Sequence, residues 1–102
     1  MRLIFLLLFS TIIINLNAQD KVINGKVSDE NNEGLPGATI IIKGTTKGTV
    51  TDIEGNFQLD VDENDIIEIS FSGYEKQEIS VTGQDSFSIN LEPDIETLKE
   101  VV

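Results

Sequence analysis

A glycine- and threonine-rich stretch in the middle of the chain, GTTKGT, has residue types that could bind a phosphate group. A Walker-type phosphate loop needs four residues between its glycines, a lysine directly after the second glycine, and a helix that starts there. In this chain Lys47 precedes Gly48, and strand-like runs lie on both sides of the stretch. The spacing and the context therefore argue against a phosphate site.

The next segment, DIEGN, could contribute to a calcium site. Asp52, Glu54 and Asn56 place oxygen-bearing side chains at alternate positions, as the beginning of a calcium loop does. However, Gly55 falls at the fourth position of the segment instead of the sixth, and no glutamate follows at the distance that a bidentate ligand requires. A tight hairpin with Gly55 at positive φ explains the segment more simply.

The residue types also limit catalysis, because the chain contains no histidine and no cysteine. This removes zinc sites of the usual kind, Ser-His-Asp triads and thiol nucleophiles. A group of carboxylates remains at Asp60, Asp62, Glu63 and Asp65, at a strand end and turn, where we expect solvent to keep their pKa values ordinary. The sequence therefore predicts a protein that is not an enzyme, with no catalytic residues, no cofactor and no metal.

The elements that carry these residues follow a period of two, with short runs of Val, Ile, Phe and Thr separated by Gly, Asn, Asp and Pro. This pattern predicts an all-β sandwich of about seven strands near residues 21–28, 38–43, 48–52, 56–61, 66–72, 77–81 and 86–91. The inward-facing residues on three of these strands are expected to be Phe57, Leu59, Val61, Ile67, Ile69, Phe71, Phe87, Ile89 and Leu91. The turns agree with this division, since LPGA suits a type II turn with Pro36 fixing φ and Gly37 at positive φ.

The first residues read as an export signal. Arg2 is followed by an apolar run from Leu3 to Ile14 and by the small residue Ala18, which predicts a signal peptide over residues 1–18. The run is shorter than the roughly 18 apolar residues of a membrane span, so we expect a cleaved leader and a mature chain that does not itself span the membrane.

Charge also limits the classes of partner. Cleavage would remove Arg2, one of seven basic residues, and keep all 18 acidic residues, so the formal charge would change from −11 to −12. A surface this acidic repels nucleic acid.

The order and spacing of several motifs carry a family resemblance. The series GKVSDENNEGLPGATIIIKGTTKGTVTDIEGNFQLDV, then ISFSGYEKQEISV and INLEPDIETLKEVV, resembles the carboxypeptidase regulatory-like domain over residues 22–102. It is more narrowly similar to the copy at the N-terminus of SusC/RagA-type TonB-dependent outer-membrane receptors. The resemblance implies a seven-stranded prealbumin-like (Ig-like) sandwich over residues 19–92, in which Gly44, Gly48 and Gly55 serve backbone geometry.

The tail, residues 93–102, matches the beginning of the segment that leads into the TonB box of these receptors. The matching residues are Leu98, Lys99, Glu100, Val101 and Val102. The resemblance implies that this segment binds TonB, by adding an extended strand to the sheet edge of its partner. A frayed terminus without such a role is the alternative for this segment. The plug and barrel of the receptor would be further partners if the chain is a fragment.

Two readings of the whole chain stay open. The first is a non-catalytic periplasmic extension domain of a SusC-like receptor, associated with the outer membrane and acting in docking or signalling during nutrient import. The second is a stand-alone exported module that binds protein or glycan. A glycan site usually needs exposed aromatic rings, whereas the chain has no tryptophan, and we expect its single tyrosine, Tyr74, to pack at a strand corner. A third reading, a regulatory domain attached to a zinc carboxypeptidase, would need a catalytic domain that this sequence does not contain.

Overall fold

The computed structural model describes residues 20–95, and these residues form seven strands in two sheets. The strands are β1 (Asp20–Ser28), β2 (Thr39–Ile42), β3 (Gly48–Val50), β4 (Asn56–Asp62), β5 (Ile66–Ser70), β6 (Gln77–Ser80) and β7 (Ser86–Asn90). All seven predicted strands are present, and the all-β sandwich is confirmed. The predicted signal peptide lies outside the described residues.

The strands divide unequally between the sheets. Sheet A has three strands in the order β4-β1-β7, and sheet B has four in the order β3-β2-β5-β6. All three pairings in sheet B are antiparallel. In sheet A, β1 is antiparallel to β4 but parallel to β7, so the first and last strands of the domain are direct neighbours.

The alternating residues of both sheets meet in one core, as the period of two predicts. Along β4 the burial alternates strictly, with Phe57, Leu59 and Val61 buried and the residues between them exposed. Phe71 is only partly buried at the edge of this core. The buried apolar residues are Ile23, Val27, Leu35, Ala38, Ile40, Ile42, Phe57, Leu59, Val61, Ile67, Ile69, Val81, Phe87, Ile89 and Leu91.

Two strands end two residues earlier than the alternation predicts, because local turns interrupt the pairing. β3 ends at Val50, since Asp52 already belongs to the following hairpin and accepts a backbone hydrogen bond from Gly55 (2.9 Å). β5 ends at Ser70, since the carbonyl of Phe71 accepts a hydrogen bond from the amide of Tyr74 (3.0 Å) and begins a turn.

Candidate functional surfaces

The turn formed by LPGA is held by a buried threonine. Gly37 has φ of 81°, as a type II turn requires. The hydroxyl of Thr51 accepts a hydrogen bond from the amide of Ala38 (2.8 Å) and donates one to the carbonyl of Leu35. Thr51 is only 5% exposed, so its hydroxyl makes these hydrogen bonds inside the fold, away from solvent. The sequence did not reveal this role, because a threonine beside a strand end looks like any β-branched strand residue.

The GTTKGT stretch closes the hairpin between β2 and β3. The Thr45 hydroxyl donates to the Ile42 carbonyl (2.8 Å) and accepts from the Lys47 amide (3.0 Å), while the Ile42 amide donates to the Lys47 carbonyl (2.9 Å). Gly44 has φ of 84°. Gly48 does not have a positive φ, but an added Cβ would collide with the backbone of Ile40 in the adjacent strand. The stretch therefore turns the chain, and its polar groups are used within the turn.

The DIEGN segment is a hairpin, as its glycine position predicts. One carboxylate oxygen of Asp52 accepts hydrogen bonds from the amides of Glu54 and Asn56, each 2.9 Å long. Gly55 has φ of 88° and lies so close to the Val27 carbonyl that a Cβ would be only 2.5 Å from the oxygen. The Asp52 carboxylate thus serves the turn.

Asp62 and Glu63, two members of the acidic group at the end of β4, depart from the expectation of ordinary pKa values. Asp62 lies opposite Asp20 of β1 in the antiparallel ladder. A hydrogen bond between the two carboxyl groups raises the pKa of Asp62, with further contributions from partial desolvation and from the nearby charge of Asp65. The sequence could not show this, because the effect needs the register between β1 and β4.

The pKa of Glu63 shifts in the opposite direction, below its ordinary value. Its carboxylate accepts a hydrogen bond from Lys21, 3.0 Å away, and another from the Gly83 amide (2.7 Å), and these interactions lower the pKa of Glu63. The Lys21 ammonium also donates to the carbonyls of Val81 (2.7 Å) and Gln84 (3.0 Å). Lys21 therefore ties the beginning of β1 in sheet A to the loop that follows β6 in sheet B. Asp60, the remaining member of the predicted group, is exposed on β4 opposite Val22.

Two open grooves lie on the surface of the described part of the chain. A groove of about 280 Å³ separates the outer edges of β3 and β4 and is lined by Lys47, Gly48, Thr49, Gln58, Leu59 and Asp60. A second groove of about 410 Å³ lies at the end of β2 and β5 and is lined by Gly37, Thr39, Ser70, Phe71 and Ser72. Neither brings together the carboxylates of the predicted acidic group.

Tyr74 packs at a strand corner, as predicted. Its ring contacts Phe71, with the ring centroids 5.9 Å apart, and is partly buried against the core. The hydroxyl donates a hydrogen bond to Glu30 (3.1 Å). Partial desolvation and this bond to an anionic acceptor raise the pKa of Tyr74. The ring is thus used in packing, not presented as a flat platform for a sugar.

The chain leaves the sandwich along a short antiparallel contact with the segment before β6. The Glu75 amide donates to the Glu92 carbonyl, and the Asp94 amide donates to the Gly73 carbonyl, each at 2.9 Å. The predicted partner-binding residues Leu98, Lys99, Glu100, Val101 and Val102 follow this point and lie outside the described residues.

Residues 20–95 contain no cluster of three or more acidic, histidine or cysteine side chains with the arrangement of a metal site. The same range contains no helix with the length and apolar character needed to cross a membrane.

Comparison with protein families gives a match over most of the chain. The model of the CarboxypepD_reg-like domain matches residues 23–102. The chain belongs to the CarboxypepD_reg-like domain family. The seven-stranded sandwich described above is therefore the fold of this CarboxypepD_reg-like domain, and the resemblance seen in the sequence is confirmed.

Curated relatives of this CarboxypepD_reg-like domain are receptors. The chain is 42% identical over 101 residues to the TonB-dependent receptor SusC of Bacteroides thetaiotaomicron, a match that covers 97% of the chain and 10% of the receptor. It is 40% identical over 100 residues to the TonB-dependent receptor P3 of Formosa agariphila, covering 96% of the chain and 10% of the receptor. The chain thus spans about a tenth of the length of these receptors.

Solved structures with a similar fold include a chain in each of two crystal structures of mutant type II cohesin–X-dockerin complexes from Acetivibrio cellulolyticus. For the N-terminal interface mutant the TM-score is 0.58 at 25% identity, covering 71% of this chain and 57% of that chain. For the C-terminal interface mutant the TM-score is 0.55 at 26% identity, covering 69% and 56%. These likenesses agree with the two-sheet sandwich.

Proposed function

We propose that this CarboxypepD_reg-like domain is the periplasmic N-terminal extension domain of a SusC-type TonB-dependent receptor. In this role it is a non-catalytic docking or signalling module in nutrient import across the outer membrane. The observation that supports the proposal most strongly is the 42% identity to SusC over 97% of the chain. A match of this extent to a tenth of a receptor is the relation expected between one domain and the larger protein that contains it.

The non-catalytic role is supported by the uses of the acidic side chains. Asp52 accepts backbone hydrogen bonds within its own hairpin, and Glu63 pairs with Lys21 and the Gly83 amide. Tyr74 packs on the core and bonds to Glu30. The groups that could act as acids or bases therefore hold turns and strand ends together, as a scaffold domain requires.

The docking role is assigned to the tail. The hydrogen bonds at Glu92 and Asp94 fix the last described contacts of the chain with the sandwich, and the residues assigned to docking follow this point in the sequence. Among them, Leu98–Val102 would bind TonB by strand addition, in which backbone hydrogen bonds supply affinity and alternate side chains supply specificity.

Binding of the purified chain to the periplasmic domain of TonB tests this assignment. The variant Val101→Asp places a charge in the proposed added strand and should weaken binding by about tenfold or more, equivalent to about 1.4 kcal/mol. Val50→Asp is the matched control, because Val50 is an exposed valine of β3 (58% exposed) outside the tail. Equal binding by the Val101→Asp variant and the unaltered chain would overturn the assignment to the tail.

The DNA that follows the codon for Val102 distinguishes a receptor domain from a stand-alone exported module. A reading frame that continues into plug and barrel sequence supports the receptor proposal. A stop codon followed by an unrelated gene would favour the stand-alone binding module instead.

A further inference from the structure

The pairing of the first and last strands determines how the domain responds to tension. β1 and β7 are parallel neighbours, with five residue pairs from Asn24↔Ser86 to Ser28↔Asn90. Backbone hydrogen bonds close both ends of this ladder, from the Asn24 amide to the Asp85 carbonyl (2.9 Å) and from the Leu91 amide to the Ser28 carbonyl (2.8 Å).

The two ends of the described chain lie at opposite ends of this strand pair. The chain enters at Asp20, at the beginning of β1, and leaves after β7, at the end of the sandwich where β1 finishes. Tension between the two ends therefore pulls β1 and β7 past each other along their own axes. In a parallel pair the hydrogen bonds are evenly spaced and run at a slant from one strand to the other, so sliding of the strands loads all of them together. Separation of the strands from one end would break the same bonds one pair at a time.

Both strands are also fastened at their outer ends. Lys21 holds the beginning of β1 through Val81, Gln84 and Glu63, with three contacts of 2.7 to 3.0 Å. The side-chain amide of Asn90, at the end of β7, donates to the Asp29 carbonyl and to Asn32, each at 3.1 Å. These contacts join β1 and β7 to loops on either side of the pair.

From this arrangement we propose that the β1–β7 pair is a mechanical clamp, meaning a pair of strands that keeps the domain folded when its two ends are pulled apart. The proposal rests on the topology of the described residues and is independent of the receptor role. If the receptor role also holds, the clamp lets the domain carry tension from the segment that follows it without unfolding.

Single-molecule force spectroscopy on the full chain tests the clamp. The sequence has no cysteine, so two introduced cysteines give unique attachment points. Asp20→Cys with Ile95→Cys applies the load along the strands, from the beginning of β1 to the segment that follows β7. Asn31→Cys with Ile95→Cys is the matched control, because both attachment points then lie at the same end of the strand pair and the load separates the strands from that end.

The expected result is an unfolding force about twofold or more higher for the Asp20/Ile95 attachment than for the Asn31/Ile95 attachment, since forced unfolding reports the barrier along the direction of pulling. Equal forces in the two geometries would overturn the clamp. Thermal melting of both variants verifies that each is folded before it is pulled. If the substitution at Asp20 prevents folding, Val22→Cys takes its place as the attachment point on β1. The Val22 side chain is 46% exposed. Its unfolding force is then compared with that of the Asn31/Ile95 attachment in the same way.

Discussion

Thr51 and Asp52 are consecutive residues whose side chains fix two different turns. The Thr51 hydroxyl bridges Leu35 and Ala38 on one side of the chain, whereas the Asp52 carboxylate binds the amides of its own hairpin on the other. Side chains of this kind replace the backbone partners that a turn leaves without hydrogen bonds. Asp52, which the sequence offered as a possible calcium ligand, therefore serves the backbone of its own hairpin.

Replacement of Thr51 by valine should destabilise the domain while keeping its shape. The buried Ala38 amide would lose its acceptor, and the expected cost is about 1–3 kcal/mol in the free energy of unfolding. Urea denaturation measures this cost. Thr39→Val is the control, since the Thr39 hydroxyl makes no side-chain hydrogen bond within the described residues. An equal effect of the two substitutions would contradict the role of the Thr51 hydroxyl.

Asp62 and Glu63 should give opposite contributions to the pH dependence of stability. The raised pKa of Asp62 means that the folded state binds a proton more readily than the unfolded chain, so its contribution to stability decreases as the pH rises through the raised folded pKa. The lowered pKa of Glu63 gives a contribution that is present above the pKa of the unfolded chain and is lost as the pH falls through the folded pKa.

The variant Asp62→Asn isolates the first of these contributions. An asparagine amide can donate a hydrogen bond to Asp20 without adding a negative charge, so we expect a higher melting temperature near neutral pH and a smaller difference from the parent in acid. Melting curves recorded from about pH 3 to pH 7 span the ordinary range of carboxyl titration. Asp60→Asn removes one charge from the same strand and is the control. If both variants gain the same stability, general charge reduction would explain the result.

At the scale of elements, two glycines distinguish the energetic cost of a positive φ from the cost of a steric clash with a neighbouring strand. Gly37 and Gly55 both have positive φ, 81° and 88°. A Cβ at Gly37 would meet no atom within 4 Å, whereas at Gly55 it would lie 2.5 Å from the Val27 carbonyl oxygen. Gly37→Ala should therefore cost about 1 kcal/mol from φ alone, and Gly55→Ala clearly more. Equal shifts in the urea midpoint would show that the hairpin moves away from Val27 without penalty.

The elements that the sequence predicted well are those that local patterns encode. Alternation of apolar residues predicted β4 and its buried face, and the glycine positions predicted the turns at Gly37 and Gly55. Local patterns contain no information on which strands pair, so the parallel β1–β7 pairing and the register that joins Asp20 to Asp62 were not predicted. The fastening role of Lys21 was missed for the same reason, because its partners are distant in sequence.

At the scale of the whole molecule, the domain cannot complete sheet A until its last strand is available. β1 needs β7 as a neighbour, and Asn24 pairs with Ser86 across most of the folded sequence. Folds dominated by such distant pairings form slowly, because each pairing must first close a long loop of chain.

The position of β1 relative to the predicted leader gives a prediction about processing. β1 begins at Asp20, directly after Gln19, so the expected cleavage between Ala18 and Gln19 removes the leader without shortening the central strand of sheet A. When the chain is expressed with its leader in a bacterium, the mass of the exported protein should correspond to a first residue of Gln19.

The bulky substitution Ala18→Phe should leave the leader attached, because the cleavage point needs a small residue. Asn17→Phe places the same ring one position earlier, where size is tolerated, and should still be processed. Processing of the Ala18→Phe variant at the same residue would contradict the assigned cleavage point.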